Sequence, residues 1–375
     1  EESIRDCVSC LVGSEMCIRD RVSAVVERRE RIIDCNPAAQ AGGIKPGIPV
    51  TAARAILSDL HLAERDTEAE TQALQRLAAW CYQYSSQVCI ADDRCGLFLE
   101  SGSSERLFGR AEMLGQRLCR ELAQLGYHAR AGSAPTVEAA WLASGEGLHI
   151  TTRTHLRQQL GSLPLASLHL ESVQAGSMEK MGFRQLRDLL RLPRKALTRR
   201  FGPGLPDYLD RLLGIQPDPR KLYRPPERFS SRLELPAEIH TCQALLFPLK
   251  RLLGELCGVL RGGDHAVHSL HIILVHEDHE DSRVELGLQS PSQEIERLLS
   301  VLRERLERLR LPQAVREIRV DAPQLLPLRA GQRTLFHDTS AERQQDIEQL
   351  AERLQARLGR RAVAGLTGVE DHRPE

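Results

Sequence analysis

The sequence predicts a multidomain α+β protein, and three observations carry that reading. The chain has 375 residues, more than the roughly 250–300 at which a single hydrophobic core stops growing. Strands and helices alternate over residues 22–150 and again, in the order βαββαβ, over residues 229–320. Between them lies a helical, glycine-broken and strongly basic stretch. Hydrophobic residues make up 41% and charged residues 27%, an ordinary globular balance that excludes wholesale disorder and collagen-like repeats. No run approaches the roughly 18 uninterrupted apolar residues of a membrane span, so no membrane partner is expected. Lys+Arg and Asp+Glu are 51 each, so any nucleic-acid surface must come from local clustering of charge.

Residues 1–21 stand apart. Glu15-Met16-Cys17-Ile18-Arg19-Asp20-Arg21 back-translates naturally to the end sequence of a transposon-derived sequencing adapter. The segment is therefore set aside from fold reasoning, as a tag would be. Cys7-x-x-Cys10 falls inside it, which removes its value as a redox or metal motif. The seven other cysteines, Cys35, Cys81, Cys89, Cys95, Cys119, Cys242 and Cys257, are scattered without metal-ligand spacing. They read as reduced core thiols of a cytosolic protein.

Residues 22–34 open as a β-branched strand that turns charged and ends at Cys35-Asn36-Pro37, with a short helical segment behind it. A Gly42-Gly43 break and the loop Lys45-Pro46-Gly47 precede a helix signal at 52–57. Asp66 offers an N-cap to a helix in which Leu74, Leu77 and Ala78 recur at helical spacing. The runs 87–90 and 96–100, joined by Ala91-Asp92-Asp93-Arg94, predict a hairpin. Met113, Leu118, Leu122 and Leu125 predict a helix that stops at Gly126. A strand at 127–131 and a second amphipathic helix through Ala139, Ala140 and Leu142 complete this domain.

Leu163-Pro164-Leu165 marks a boundary, and residues 171–214 read as helices broken at Gly182, Gly202 and Gly204. Tyr223-Arg224-Pro225-Pro226 reads as an extended, uncored linker. Beyond it the elements are a strand at 229–235, a helix at 245–260, strands at 268–276 and 284–288, a helix at 294–309 and a strand at 315–320. That order is a split βαβ sandwich. A linker and a helix at 341–358 follow, and the close at Arg373-Pro374-Glu375, without a terminal cap, reads as a truncation.

Four residue groups bear on function. Across 183–200 stand Arg184, Arg187, Arg191, Arg194, Lys195, Arg199 and Arg200 against the single acid Asp188. With Met181-Gly182-Phe183-Arg184 they have the form of a helix-hairpin-helix, which offers backbone N–H groups and cations to a DNA phosphate without reading bases. The bland alternative is a helical hairpin with a solvated basic face. His265, His268, His271, His276 and His279 alternate between strand faces and cannot converge on a metal without a bulge, so they read as solvent-facing histidines and no metal site is expected. Asp92 and Asp93 at a hairpin tip read as turn formers, since one Mg²⁺ site wants further carboxylates. Gln332-Arg333-Thr334-Leu335-Phe336 sits in a polar linker with no core for Leu335 and Phe336 to join, which suits a peptide that docks into a partner's pocket.

These segments together carry a resemblance. VVERRERIIDCNPAAQAGGIKPGIPVTAARA at 25–55, LFLESGSSERLFG at 97–109, LRDLLRLPRKALTRRFGP at 186–203, GQRTLFHD at 331–338 and AVAGLTGVEDHRPE at 362–375 resemble the ImuB group, the catalytically degenerate branch of the bacterial Y-family (UmuC/DinB-type) DNA polymerases. The resemblance implies a Y-family polymerase-like palm at 22–162 with inserted fingers at about 35–80. It further implies a helix-hairpin-helix thumb at 163–224 and a βαββαβ little finger at 225–322. A linker at 323–340 and the start of a C-terminal region at 341–375 follow. It implies that Gln332, Leu335 and Phe336 match a β-sliding-clamp-binding motif. DNA contact would fall to Gly182, Phe183, Arg184, Arg187, Arg199 and Arg200.

The departures from a working polymerase decide the expected mechanism. Such enzymes hold two Mg²⁺ with clustered carboxylates, to neutralise the transferring phosphoryl and keep its attack in line. The first carboxylate strand would precede Val22, where the adapter-like segment stands. The second, a Ser-x-Asp-Glu element, falls on Ala91-Asp92 counted from the front of the hairpin and on Cys95-Gly96 counted from its back. Neither register keeps both acids. The finger Tyr and Arg that meet the triphosphate correspond to Pro37 and Gln40, and a palm-helix Lys to Trp141, so the charge complement of a nucleotide is lost. The reading is a non-catalytic homologue that needs no cofactor, binds DNA and the clamp, and serves translesion synthesis with an error-prone replicative-type polymerase and a RecA-like accessory protein. The rival is an active, Mg²⁺-dependent lesion-bypass polymerase. A plain DNA-binding module without clamp contact is the third option. Loss of the first palm strand predicts an open sheet edge and an uncovered core, unless the adapter-like Val8–Val12 occupies that place by coincidence.

Overall fold

A computed structural model of the chain describes residues 7–13, 23–27, 30–35, 37–91, 95–168, 177–178, 180–328, 339–359 and 363. The chain divides into two compact units, Glu1–Pro225 and Pro226–Glu375.

The first unit is built on a four-stranded sheet in the order β5-β6-β1-β7. Its strands are β1 (Cys7–Gly13), β5 (Val88–Ile90), β6 (Gly96–Glu100) and β7 (His128–Ala134). β1 runs antiparallel to both neighbours, Ser9 standing opposite Phe98 on one side and Gly132 on the other. The open edge expected from the missing first strand is therefore absent, because Cys7–Gly13 fills that place. Helix α3 (Thr67–Cys81) starts where the Asp66 carboxylate accepts the N–H groups of Glu68 and Ala69 at 3.0 and 2.9 Å, satisfying donors with no partner inside the helix. Helix α5 (Ala111–Gln124) buries Leu114, Leu118 and Leu122 at i, i+4 spacing, and the chain leaves it through Gly126 at φ +83°. These two helices cover the sheet face to which Leu97 and Leu99 point.

Helix α6 (Val137–Glu146) lies against the opposite face, its Thr136 cap accepting the Ala139 N–H at 3.3 Å. It was expected to be amphipathic, but Val137–Ser144 are all buried. The cause is its place between the sheet and the thumb core. Its approach is so close that a Cβ on Gly132 would stand 2.2 Å from the Ser144 nitrogen.

Between β1 and α3 a small sheet in the order β3-β2-β4 is inserted, formed by β2 (Ser23–Glu27), β3 (Arg31–Cys35) and β4 (His61–Glu64). With α1 (Pro37–Ala41) and α2 (Val50–Ile56) it encloses a separate core of Val26, Ile32, Cys35, Ala39, Ile44, Ala53 and Leu60. The charged stretch read as the end of one strand is a hairpin whose second strand is β3. Beyond α4 (Glu105–Phe108), α5 and α6 come α7 (Arg153–Gly161), α8 (Leu186–Leu190), α9 (Arg194–Phe201) and α10 (Gly204–Leu212). Leu156, Leu160, Leu186, Leu189, Leu197, Leu205, Leu209 and Leu212 join these four helices to α6 in one core.

The second unit has strands β8 (Phe229–Ile239), β9 (His265–His276), β10 (Ser282–Ser292) and β11 (Val315–Ala322) in the order β10-β9-β11-β8. β11 is antiparallel to both β8 and β9, so the parallel pair joined by α11 (Cys242–Gly262) is split by it. In the same way β9 splits the pair joined by α12 (Ile295–Leu306). This is the split βαβ arrangement expected. The short β12 (Leu326–Pro327) pairs with β9. Helix α13 (Thr339–Leu358) docks against β10 and α12. His276 corrects the expectation of solvent-facing histidines: it is 3% exposed, with Nδ1 3.1 Å from the Ala314 carbonyl and Nε2 2.9 Å from Ser282 Oγ.

Candidate nucleic-acid interface and the palm hairpin

The hairpin of β5 and β6 is closed by the Ala91 N–H donating to the Gly96 carbonyl at 3.0 Å. Cys89 stands opposite Phe98, and Cys89, Ala91 and Phe98 belong to one buried cluster that Trp141 of α6 also joins. The Phe98 and Trp141 rings lie 5.9 Å apart. Trp141 is thus 7% exposed and packed on an aromatic ring. Asp92 lies outside the described residues. Cys95, at the other end of the loop, is part-buried.

A segment not singled out by the sequence closes this face further. Arg220 lies 5.7 Å above the Phe98 ring and pairs with Glu138 at 2.5 Å and Asp218 at 2.9 Å, the Glu138 side chain being 3% exposed. Three residues on, the Tyr223 N–H donates to the Val88 carbonyl at 2.7 Å, and the Tyr82 hydroxyl donates to the Tyr223 carbonyl. Burial, with Tyr82 adding to it, pushes the Tyr223 phenol up to about 12. The stretch read as an uncored linker is extended as expected, but it is tied along the edge of β5. The available signal was Arg220 beside Asp218, a charge pair in a segment otherwise composed like a loop. Beside the hairpin tip, an open cleft of about 1190 Å³ is lined by Arg65, Thr71, Ala91, Cys95, Lys221 and Arg224 among others.

The residues described here do not fit a pair of Mg²⁺ ions. A hard cation takes oxygen ligands, whereas Ala91, Gly96, Phe98 and Trp141 offer no side-chain oxygen. Glu100 uses its carboxylate to hold the Ser103 N–H at 3.1 Å and the Ser103 hydroxyl. Among the described residues no group of three or more His, Cys, Asp or Glu could hold a metal. In the inserted sheet, Gln40 donates to the Cys35 carbonyl at 3.0 Å from the first turn after Pro37.

The helical stretch where the thumb was expected carries exposed cations. Gly182 has φ +82°, and the Phe183 N–H closes the turn on the Met178 carbonyl at 3.1 Å. Phe183 packs on the shared core, while Arg184, Arg187, Arg191, Lys195, Arg199 and Arg200 are exposed. The hairpin differs from expectation in one respect. The Asp188 carboxylate accepts the N–H groups of Arg184 and Gln185 at 3.0 Å each, and these bonds hold its carboxyl below the usual range. Those two N–H groups are spent on the cap, so a phosphate would meet the side chains. A second turn, which the sequence offered only as glycine breaks, lies between α9 and α10. Gly202 has φ +80°, a Cβ on Gly202 or Gly204 would have open space, and Arg199 and Arg200 sit in the turn before it.

In the second unit the open sheet face is mixed in charge. Arg283, Ile273, Arg319 and Arg232 form one cross-strand row. Glu285, His271 and Asp321 form the next, and Arg319 pairs with Glu317 at 2.5 Å. Gln332, Leu335 and Phe336 lie outside the described residues. Both flanks of their segment are anchored: Leu328 N–H donates to the Asp264 carbonyl at 2.7 Å, and α13 begins at Thr339.

Comparison with known proteins places this architecture. The profile of the impB/mucB/samB family matches residues 7–145. The chain is 28% identical over 335 residues to Protein ImuB of Caulobacter vibrioides (strain NA1000 / CB15N), covering 89% of this chain and 73% of that protein. It is 27% identical over 188 residues to DNA polymerase IV of Pseudomonas syringae pv. tomato, covering 48% of this chain and 53% of the polymerase. Among solved structures, DinB from Sulfolobus solfataricus superposes with a TM-score of 0.49 at 16% identity, over 86% of this chain and all of that one. Residues 7–145 therefore match the impB/mucB/samB family, and the chain is similar over most of its length to Protein ImuB.

Proposed function

We propose that the protein is a non-catalytic Y-family polymerase homologue that works in DNA damage tolerance. It holds DNA through the thumb, binds the β sliding clamp through Gln332, Leu335 and Phe336, and recruits an error-prone polymerase together with a RecA-like accessory protein. The observation that carries this reading is the palm face. On the hairpin to which the resemblance assigns the second carboxylate element, Cys89, Ala91 and Phe98 join Trp141 in one buried apolar cluster, with the Arg220–Glu138 pair beside it. Phosphoryl transfer without charge neutralisation at that point loses the main source of its acceleration. The exposed arginines of the thumb survive in the same unit, so DNA contact persists without chemistry.

The test is primer extension with Mg²⁺ and all four nucleotides, with clamp binding measured in parallel for the parent and for Leu335→Ala and Phe336→Ala. The expected result is no extension, with clamp binding that both alanines abolish. Extension that Asp92→Ala removes would establish the rival, an active lesion-bypass polymerase. Clamp binding indifferent to the alanines would strike Gln332–Phe336 from the reading.

A further inference from the structure

The chain that leads to the second unit is fastened before it leaves the first. After α10, Gly214 turns it at φ +70°, and the Ile215 and Gln216 N–H groups donate to the Asp210 carbonyl at 2.8 and 3.2 Å. Arg220 is the next fastening. Its guanidinium lies 5.7 Å from the Phe98 ring centre and meets Glu138 at 2.5 Å and Asp218 at 2.9 Å, and all three charged side chains are largely buried. Tyr223 is the last. Its N–H donates to the Val88 carbonyl on the outer edge of β5 at 2.7 Å, its carbonyl accepts from the Tyr82 hydroxyl, and the two rings meet edge to face at 6.3 Å. Peeling this stretch away would take the cation from a carboxylate that is 3% exposed, a costly step in a desolvated place. The division between the two units falls at Pro225 and Pro226, directly after these fastenings, and β8 begins at Phe229, opposite Ala322.

We propose that Asp218–Tyr223 is a clasp that fixes the point at which the connector leaves the first unit. With the clasp shut, only Arg224–Arg228 is left to swing, a reach of roughly 17 Å, against roughly 55 Å for a chain loose from Leu213 onwards. Pro225-Pro226 stiffens that remnant, since adjacent prolines hold an extended backbone. Tether length has a binding consequence. A short tether keeps the second unit at high effective concentration around whatever the first unit holds, and a long one dilutes it roughly as the −3/2 power of its length. The clasp acts in this way whether or not the thumb meets DNA. Its grip comes from side chains far away in the chain, Tyr82, Val88, Phe98 and Glu138, so a stretch composed like a linker belongs mostly to the first unit.

Two Gly-Ser insertions of about fifteen residues test this in the full chain. One stands between Gln216 and Pro217, upstream of the clasp, and the other between Pro226 and Glu227, downstream of it. Donor and acceptor dyes are carried by ketone-bearing residues at positions 120 and 250, where Arg120 and Lys250 are exposed, and single-molecule energy transfer reads the spread of the distance between them. The downstream insertion is expected to widen the spread about twofold, as the square root of the free length, and the upstream one to leave it as in the parent. Equal widening by both insertions means that the stretch is not held, and overturns the clasp. No widening by either means that something other than the connector sets the spread, and overturns it as well. Arg220→Gly with Glu138→Gln and Tyr223→Pro opens the clasp without stranding a buried carboxylate, and in that background the upstream insertion should widen the spread as the downstream one does. Amide exchange in the unaltered parent gives a reading that no substitution can spoil. The Tyr223 N–H is expected to exchange at least about a hundredfold more slowly than an open chain, and exchange at the open-chain rate overturns the proposal.

Discussion

Gly132 shows how little room separates α6 from the sheet. Gly132→Ala would set a Cβ 2.2 Å from the Ser144 nitrogen and 2.3 Å from the Ala143 carbonyl carbon. Backbone on both sides cannot yield cheaply, so a loss of about 1–3 kcal/mol or more is expected in urea unfolding. The Arg220–Glu138 pair makes a second residue-level prediction. Arg220→Met alone leaves Glu138 as a buried, uncompensated charge and should cost about 3–5 kcal/mol, whereas Arg220→Met with Glu138→Leu should recover most of it. Asp188 gives a pH dependence. Its folded pKa lies below its unfolded value, so its contribution is present above the ordinary carboxylate range and is lost as pH falls through the folded value. Asp188→Asn should flatten the acid limb of the stability profile, read by fluorescence melts below neutrality. Caps of this kind were partly legible in the sequence: Asp66 announced its helix because a short acceptor before an apolar period has one main use. Arg220 was not legible, because its partner lies 82 residues away in the chain.

Elements with strong periodicity were legible for a physical reason. α5 and α12 each bury one side, as does the first half of α11, so the apolar spacing reports the helix directly. α6 is buried all round and β4 spans only four residues, and neither leaves a one-sided pattern in the chain. The thumb was legible as a basic cluster, but the use of the Arg184 and Gln185 N–H groups by Asp188 needed coordinates. Its prediction belongs at this scale. Arg199→Ala with Arg200→Ala should weaken DNA binding about equally across sequences. Each lost phosphate contact should also reduce the slope of log affinity against log salt by about 0.9. A slope unchanged by the double substitution would remove α9 from the DNA interface. The hairpin of β5 and β6 was legible in its strands, while its burial against Trp141 emerged only from the packing of α6.

At the scale of the molecule, a neutral chain hides a division of labour. The exposed cations gather on the thumb, and the open sheet face of the second unit alternates arginine with acid. The segment holding Gln332, Leu335 and Phe336 runs between Leu328, bonded to the Asp264 carbonyl, and α13. Leu335→Ala and Phe336→Ala are expected to abolish clamp binding, read in the binding assay described above. The order of strands in the first sheet has a different consequence. Cys7–Gly13 sits between two strands whose residues end at Glu100 and Ala134. During synthesis at roughly 5–20 residues per second, that strand waits several seconds before its second neighbour exists. Closing so long a loop costs entropy before any contact rewards it. The adapter-like segment therefore fills a place whose neighbours lie far along the chain, and any sequence standing there meets the same closure cost.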